Sequence, residues 1–274
     1  MSRIVALVNQ KGGVGKTTTA INLGASLAER GQRILLVDVD PQGNASSGLG
    51  TCPGDVQAGT YELMLGTASL EQATVATQHK NLHLVPATQS LAGANVELVT
   101  VDAREHKLAQ ALEAARAHYD AILLDAPPSL GLVTINALVA ADEVLIPVQS
   151  EVLRARGALA AAPHHRARAH QPQADPPLLG AVITLHDKRT KLAVDVAREI
   201  RRYFPGRVFT TEIPRNVRLS EAPSYGKSVL QYAGWSKGAR AYAALADEVI
   251  AAWRTPAIPQ PNIAAPQPVE PAAA

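Results

Sequence analysis

Short apolar runs alternate with longer stretches of helical periodicity along most of the chain. The apolar runs are nearly continuous, which is typical of strands buried on both faces of a parallel sheet. The predicted strands occupy residues 4–8, 33–37, 82–86, 121–124, 143–148 and 178–184. The predicted helices lie near residues 16–29, 89–98, 105–118, 131–140, 191–203 and 237–253. The pattern predicts one α/β domain over residues 1–254, with a mostly parallel, twisted sheet and helices on both faces.

Composition narrows the class of protein. The 274 residues are 47% hydrophobic, which is enough for a full core. No run approaches the ~20 apolar residues that cross a bilayer, and the N-terminus lacks the features of a secretion signal. One cysteine, Cys52, excludes an intramolecular disulfide and argues against a cysteine-based metal cluster. We therefore expect a cytoplasmic protein, and the Pro- and Ala-rich residues 255–274 predict a disordered tail.

A phosphate-binding loop follows the first predicted strand. Residues 9–18 read Asn-Gln-Lys-Gly-Gly-Val-Gly-Lys-Thr-Thr and open the first predicted helix, which is the strand–loop–helix context that this motif needs. Small residues let backbone N–H groups face phosphate oxygens. Lys16 is placed to reach the β- and γ-phosphates of a nucleotide, and the Thr17 hydroxyl is placed for Mg²⁺. The sequence thus predicts a P-loop NTPase-type domain that binds a nucleotide and Mg²⁺. The candidate nucleotide-binding residues of the loop are Gly12, Gly13, Val14, Gly15, Lys16, Thr17 and Thr18.

Three aspartates stand at the ends of predicted strands. Asp38 and Asp40 follow the second strand, and strand alternation points both toward the phosphate-binding loop. Such carboxylates can hold metal-bound water or orient an attacking water. Asp125 ends an apolar run that resembles a Walker B strand, which implies a place near the magnesium. Thr17 and Asp125 are therefore candidate Mg²⁺ residues.

Charge is unevenly distributed. The whole chain carries a formal charge of +2, but residues 186–240 contain twelve Lys or Arg and five Asp or Glu, so that segment carries +7 and the rest −5. Such asymmetry is typical of a surface that binds a polyanion. For Arg198, Arg201 and Arg202, which share one predicted helix, a solvated helix face explains the charge equally well.

The second lysine of the loop, Lys11, points to a family. The pattern Lys-Gly-Gly-x-Gly-Lys-[Ser/Thr] resembles the deviant Walker A motif of the ParA/MinD ATPases. That resemblance implies that Lys11 reaches the phosphates bound by a partner subunit, so that ATP holds a homodimer together. It also implies that Asp40 has the hydrolytic role, which makes Lys11, Lys16 and Asp40 the candidate catalytic residues. The same resemblance places Asp38 near Mg²⁺, which adds it to Thr17 and Asp125 as a candidate Mg²⁺ residue.

A second stretch resembles the chromosome-partitioning, ParA/Soj-type branch of that family. Residues 213–224 read Ile-Pro-Arg-Asn-Val-Arg-Leu-Ser-Glu-Ala-Pro-Ser. The resemblance implies that Pro214 and Asn216 contact the adenine. It also implies that Arg189 and Arg218 contact DNA, through phosphates and hence without sequence preference. The same resemblance implies a ParB-type centromere-binding partner and a nucleoid-associated location. It also implies that the protein segregates the origins of a chromosome or a plasmid.

Residues 152–175 depart from the family. With one choice of GC-rich codons, a single inserted base converts the family peptide Glu-Tyr-Tyr-Ala-Leu-Glu-Gly-Leu into Glu-Val-Leu-Arg-Ala-Arg-Gly-Ala, as found at residues 151–158. A one-base shift likewise restores a family-like peptide near residues 170–175. We hypothesise a pair of compensating frameshifts around this segment. Resequencing of the gene tests the hypothesis, and an intact reading frame as printed would refute it.

Three other classes of protein remain as alternatives. A MinD-like ATPase that works on membranes needs a basic amphipathic helix at its C-terminus, and the last predicted helix runs into the Pro-rich tail without a basic face. An iron–sulfur carrier needs bridging cysteines, which Cys52 alone does not provide. A nucleotide-dependent scaffold with negligible hydrolysis differs from a slow ATPase only in turnover.

Overall fold

The computed structural model describes residues 2–52, 54–150 and 176–254. These residues form one eight-stranded sheet with the order β3-β4-β2-β5-β1-β6-β7-β8. All neighbouring strands are parallel except β3 and β4, which are antiparallel. The strands are β1 Arg3–Leu7, β2 Ile34–Asp38, β3 Val75–Ala76, β4 Leu82–Val85, β5 Ala121–Asp125, β6 Glu143–Gln149, β7 Leu178–His186 and β8 Val208–Pro214.

Helices cover the sheet on both sides. They are α1 Lys16–Glu29, α2 Asn44–Gly48, α3 Thr60–Leu65, α4 Leu70–Ala73, α5 Ala94–Glu97, α6 Lys107–Leu112, α7 Leu132–Ala140, α8 Lys191–Tyr203, α9 Val217–Glu221, α10 Val229–Ala233 and α11 Lys237–Arg254. Short 3-10 turns span Gln89–Gly93, Leu98–Thr100, Ala114–Ala117 and Ala222–Tyr225. Among the described residues, no helix is both long and apolar enough to cross a membrane.

Strand β1 shows why the apolar runs are continuous. Val5 and Leu7 belong to the core formed with α1 and α11, whereas Ile4 and Ala6 belong to the core on the opposite face, formed with α3, α6 and α7. Both sets of side chains are removed from water, so an alternating polar pattern is absent. The predicted α/β class, with helices on both faces of a mostly parallel sheet, is confirmed.

The six predicted strands are present within one or two residues, but two strands were not predicted. Strand β8 lies at the edge of the sheet and carries exposed or half-buried Thr210, Thr211 and Glu212, so it lacks a continuous apolar run. Strand β3 has only two residues, too few for a periodic signal. Edge strands and very short strands are therefore the part of the sheet that the hydrophobic pattern missed.

Two predicted helices are broken. The segment predicted as a helix over 89–98 begins as a 3-10 turn that ends at Gly93, and an α-helix follows only from Ala94; glycine is a weak helix former. The segment predicted over 105–118 is an α-helix only over Lys107–Leu112, after a turn in which Ala103 has a φ of 50°, and a 3-10 turn follows over Ala114–Ala117. The anomalous segment 152–175 and the tail 255–274 lie outside the described residues.

Candidate nucleotide site

The loop between β1 and α1 has the backbone that its glycines allow. Gly13 has a φ of 73° and Gly15 a φ of 86°, both in the left-handed region that side chains disfavour. Gly15 is also the residue before α1, a helix of 14 residues whose first-turn N–H groups point out of its N-terminus. The loop and the helix end together form a concave, electropositive backbone surface that suits phosphate.

The two lysines of the loop differ in burial and in hydrogen-bond partner. Lys16 is buried, and its Nζ donates a hydrogen bond of 3.1 Å to the backbone carbonyl of Asn9. Burial lowers the pKa of Lys16, and the nearby Asp125 and Asp40 carboxylates partly oppose that shift. Lys11 is exposed, and its Nζ lies 3.2 Å from Oε1 of Gln149, at the end of β6. Lys16 therefore bonds within its own loop, while Lys11 is exposed and bonds to a residue of β6.

Asn9 is a site residue that the sequence did not single out. Its Oδ1 accepts the N–H of Lys11 at 2.9 Å, and its Nδ2 donates to the carbonyl of Pro147 at 2.8 Å. Its own carbonyl accepts from Lys16. Asn9 thus holds the Lys11 backbone and the Lys16 side chain in place relative to β6. Its place directly after β1 and before the glycines is the only sequence signal that marks it.

The carboxyl ends of β2 and β5 bring the three aspartates together. Asp38 and Asp125 are register partners on these adjacent parallel strands, and both are fully buried. The Asp38 carboxylate accepts the N–H of Ser46 at 2.8 Å and its hydroxyl at 2.6 Å. The Asp40 carboxylate, which is 8% exposed, accepts the N–H of Gln42 at 3.0 Å.

Burial dominates the electrostatics of the aspartate pair. It raises the pKa of Asp38 to about 6, with hydrogen bonds from Ser46 opposing and the Asp40 carboxylate adding to the shift. Burial also raises the pKa of Asp125 well above its usual range, and the Asp38 carboxylate adds to it. The Thr17 hydroxyl opposes that shift, although no hydrogen bond of normal geometry joins it to Asp125.

The residues at this corner fit Mg²⁺. Both Asp125 oxygens are buried and accept no hydrogen bond, a costly state that a cation or its bound water would relieve. Mg²⁺ beside a nucleotide takes only one or two protein groups, because phosphates and water supply the rest. The described residues hold no cluster of three or more His, Cys, Asp or Glu side chains that could bind a metal alone. A shared protein–nucleotide magnesium site agrees with both observations.

The pH dependence of stability should reveal the buried Asp38. Its folded-state pKa of about 6 exceeds the usual 3.8, so the folded protein binds this proton more tightly than the unfolded chain. Stability from this group is present below pH ~4 and is lost as pH rises through ~6, by about 1–3 kcal/mol. Asp38→Asn has no carboxylate to ionise and should not show that loss. The free energy of unfolding of Asp38→Asn, minus that of wild type, should therefore increase between pH 4.5 and 7.5. Urea unfolding without metal or nucleotide measures this difference.

The exposed Asp55 offers a matched control for this titration. Asp55→Asn should show the same pH dependence as wild type. Equal pH dependence of wild type and Asp38→Asn would contradict the buried ionisation.

Strands β7 and β8 contribute further residues to the candidate site. The Thr184 hydroxyl donates to the carbonyl of Val14 at 2.7 Å, so β7 is tied to the phosphate-binding loop. Pro214 ends β8 opposite His186 of β7, and Asn216 precedes α9 with its Oδ1 accepting the N–H of Arg218 at 2.9 Å. Pro214 thus ends the strand next to the one that touches the loop, and Asn216 follows two residues later.

The two arginines predicted to contact DNA are both engaged in local ion pairs. Arg189 is 88% exposed and binds Asp187 through two hydrogen bonds of 2.9 and 2.7 Å. Arg218 binds Glu221 at 2.8 Å. Exposed pairs of this kind contribute little stability, so either arginine can exchange its carboxylate for a phosphate at small cost.

Comparisons with known proteins agree with this geometry. Residues 2–164 match a family model described as an AAA domain. The chain is 49% identical to the sporulation initiation inhibitor protein Soj of Bacillus subtilis, over 92% of this chain and 99% of that protein. It is 47% identical to the chromosome partitioning protein ParA of Myxococcus xanthus, over 91% and 88% of the two chains.

Solved structures show the same fold. Cobyrinic acid a,c-diamide synthase from Mycobacterium smegmatis, with bound ADP and magnesium, matches with a TM-score of 0.79 at 36% identity and covers 93% of this chain and 96% of that one. The septum site-determining protein MinD of Pyrococcus horikoshii, complexed with Mg-ADP, matches with a TM-score of 0.72 at 27% identity, over 93% and 100%.

The parallel sheet, the glycine-rich loop before α1 and the aspartates at the strand ends define a P-loop nucleotide-binding domain of the ParA/MinD type. Within that class, the identities near 50% over almost the whole length decide the branch. The chain belongs to the ParA/Soj family of chromosome-partitioning ATPases.

Proposed function

We propose that this protein is a partitioning ATPase whose ATP-bound homodimer binds DNA without sequence preference and segregates chromosome or plasmid origins together with a ParB-type partner. The observation that carries the proposal is the divergence of the two loop lysines: Lys16 is buried in its own loop, and Lys11 is exposed beside Gln149. An exposed cation in that position can serve the nucleotide of a second subunit. The names of the most similar relatives support the same function.

The proposed reaction is in-line attack of water on the γ-phosphate of ATP. Backbone N–H groups of residues 12–18 hold the phosphates, and Lys16, together with the partner subunit's Lys11, stabilises the charge of the transferred group. Mg²⁺, held through Thr17 with Asp38 and Asp125 around it, would neutralise charge on the phosphate oxygens. Asp40 orients the water, and Pro214 and Asn216 lie against the adenine.

The proposed DNA contacts are Arg189 and Arg218. Contacts of arginine with phosphate release counterions, so the affinity falls with salt, by a slope of about 0.9 per phosphate contact. The ATP-bound dimer presents both arginines twice, which makes binding depend on nucleotide. A ParB-type partner would stimulate hydrolysis and release the dimer, and the protein would be associated with the nucleoid in the cytoplasm.

Sedimentation with non-specific duplex DNA in ATP, in ADP and without nucleotide, over a salt series, tests this proposal. We expect binding in ATP only. Arg218→Ala or Arg189→Ala should lower the affinity and reduce the salt slope by about 1 to 2, since each dimer carries two copies. Lys16→Ala should abolish the response to ATP.

Arg104 provides a matched control. It is also a partly exposed arginine, and it is paired with the carboxylate of Glu105 at 2.9 Å. It lies outside the positively charged residues 186–240. Arg104→Ala should bind DNA as wild type does. Soluble protein that binds ATP and ignores DNA would contradict the proposal. ATP-dependent pelleting with anionic vesicles would then favour the MinD-like alternative, and ATP binding without turnover would favour the scaffold.

A further inference from the structure

Two large aromatic rings are exposed on the surface formed by α9, the turn Ala222–Tyr225, α10 and the turn that follows α10. Trp235 is 73% exposed and Tyr225 is 62% exposed. Rings of this size on a surface mark binding sites more often than single exposed aliphatic residues do. We call Arg218, Tyr225, Tyr232 and Trp235 the aromatic platform.

Each exposed ring of the platform has a planar group packed behind it. The guanidinium of Arg218 lies 5.7 Å from the centre of the Trp235 ring. The Tyr225 ring is stacked on Tyr232, with 4.9 Å between ring centres and an angle of 23°. Because one face of each ring is already occupied, its rotamer is restrained, and a ligand that packs on the outer face has less conformational entropy to remove.

A single carboxylate connects the two halves of the platform. Glu221 accepts from the guanidinium of Arg218 at 2.8 Å and from the hydroxyl of Tyr232 at 3.1 Å. The turn after Tyr225 is fixed as well, because Gly226 has a φ of 62° and packs so closely on Gly50 that a Cβ would lie 2.7 Å from the Gly50 Cα. The platform is therefore a rigid, prearranged surface and not a set of loose side chains.

The segment of the chain that carries the platform has a positive formal charge. Residues 217–240 contain four Lys or Arg and one acidic residue, Glu221, a formal charge of +3. Flat exposed rings next to cations are the combination that binds single-stranded nucleic acid, in which bases stack on the rings and phosphates meet the cations. Bases of a duplex are already stacked on each other and offer no free face, so phosphate contacts alone would not require the rings.

We propose that the aromatic platform binds unpaired bases, so that the protein prefers single-stranded DNA, or duplex with an unpaired stretch, over fully paired duplex. This proposal rests on the proposed function in one respect, since Arg218 is a member of both the platform and the suggested duplex contact. A lipid surface fits less well: in residues 217–240 only Val217, 70% exposed, adds a large exposed aliphatic side chain to the rings, whereas membrane-surface helices present a broad apolar face.

Fluorescence anisotropy with labelled oligo(dT) and with a duplex of the same length, in the same salt and in matched nucleotide states, tests the proposal. Trp235→Ala and Tyr225→Ala should each weaken oligo(dT) binding by about 5- to 150-fold relative to duplex binding. Trp235→Phe retains a ring and should recover most of that loss. Thermal unfolding of each variant shows whether it is folded.

Tyr203 supplies the matched control. It is 53% exposed and has the Arg202 guanidinium 5.3 Å from its ring centre, but it lies on α8, outside the platform. Tyr203→Ala should leave the ratio of the two affinities as in wild type. A ratio that does not respond to Trp235→Ala and Tyr225→Ala, or that responds equally to Tyr203→Ala, would overturn the proposal.

Tryptophan fluorescence gives an independent readout that needs no platform variant. The chain has two tryptophans, and Trp253 is half-buried, with its Nε1 bonded to Glu143. In Trp253→Phe, quenching of Trp235 by oligo(dT), and much less by duplex, is the expected result. Quenching by anionic vesicles but not by oligo(dT) would overturn the proposal in favour of a lipid surface. Loss of ATP-dependent duplex binding alone would refute the proposed function and leave the platform standing.

Discussion

Asp40→Ala is expected to lower ATP turnover by about 100- to 10,000-fold while ATP still binds, because Asp40 is proposed to orient the attacking water and not to hold the phosphates. The carboxylate lies just after the carboxyl end of β2, where its charge partly opposes the lowering of the Lys16 pKa by burial. Phosphate release measures turnover, and a fluorescent ATP analogue measures affinity. The ATP-bound dimer should accumulate in this variant, since the step that dissolves it is blocked.

Two further variants separate chemistry from folding. Asp40 also accepts the N–H of Gln42, and Asp40→Asn keeps an acceptor for that turn; it should be nearly as inactive as Asp40→Ala. Asp55→Asn, at an exposed position, should turn over at the wild-type rate. Turnover within a few-fold of wild type in both Asp40 variants would remove Asp40 from the mechanism.

Lys11→Ala is expected to lower turnover by about 1,000-fold or more and to abolish ATP-dependent dimerisation. A cation supplied across an interface contributes to transition-state stabilisation on that scale. Within one subunit Lys11 is exposed and bonds to Gln149, whereas Lys16 bonds within the loop, so the ADP affinity of the monomer should change far less than turnover. Sedimentation velocity in ATP and in ADP, together with phosphate release, measures both effects.

The exposed Lys80 is a matched control on a distant turn before β4. Lys80→Ala should dimerise and hydrolyse ATP as wild type does. A Lys11→Ala protein that still dimerises in ATP and turns over normally would show that this lysine is only a solvated loop residue.

The nucleotide site was largely predictable because its parts are local in sequence. Glycines at left-handed positions, a lysine before a helix and aspartates at strand ends each have a short-range signal, and the carboxyl ends of parallel strands converge on one edge. The register that pairs Asp38 with Asp125 was not predictable, since residues 87 positions apart meet only through the order of the strands. The difference between Lys11 and Lys16 was likewise not predictable, because Lys11 bonds to Gln149 at the end of β6.

Other features depended on long-range contacts and were missed. Asn9 became recognisable only when its bond to Pro147 was seen. Strand β8 has no apolar run because one edge of the sheet faces solvent. The aromatic platform combines residues of three short elements and of the turn after α10, and its rings give no periodic pattern. The sequence therefore marked Arg218 as a DNA contact and left Trp235 unnoticed.

The central claim, that each active site is completed by Lys11 of the other subunit, is tested most directly by mixing Lys11→Ala with Asp40→Ala. Each variant alone should be inactive. In a mixed dimer, the subunit that carries Lys11→Ala keeps its own Asp40 and receives an intact lysine from its partner, so one of the two sites is complete. Turnover should recover measurably, to at most about a quarter of wild type, because random pairing would make about half of the dimers mixed and the loss of one Lys11 weakens pairing. If the mixture stays as inactive as its components, Lys11 acts within its own subunit and the account is wrong.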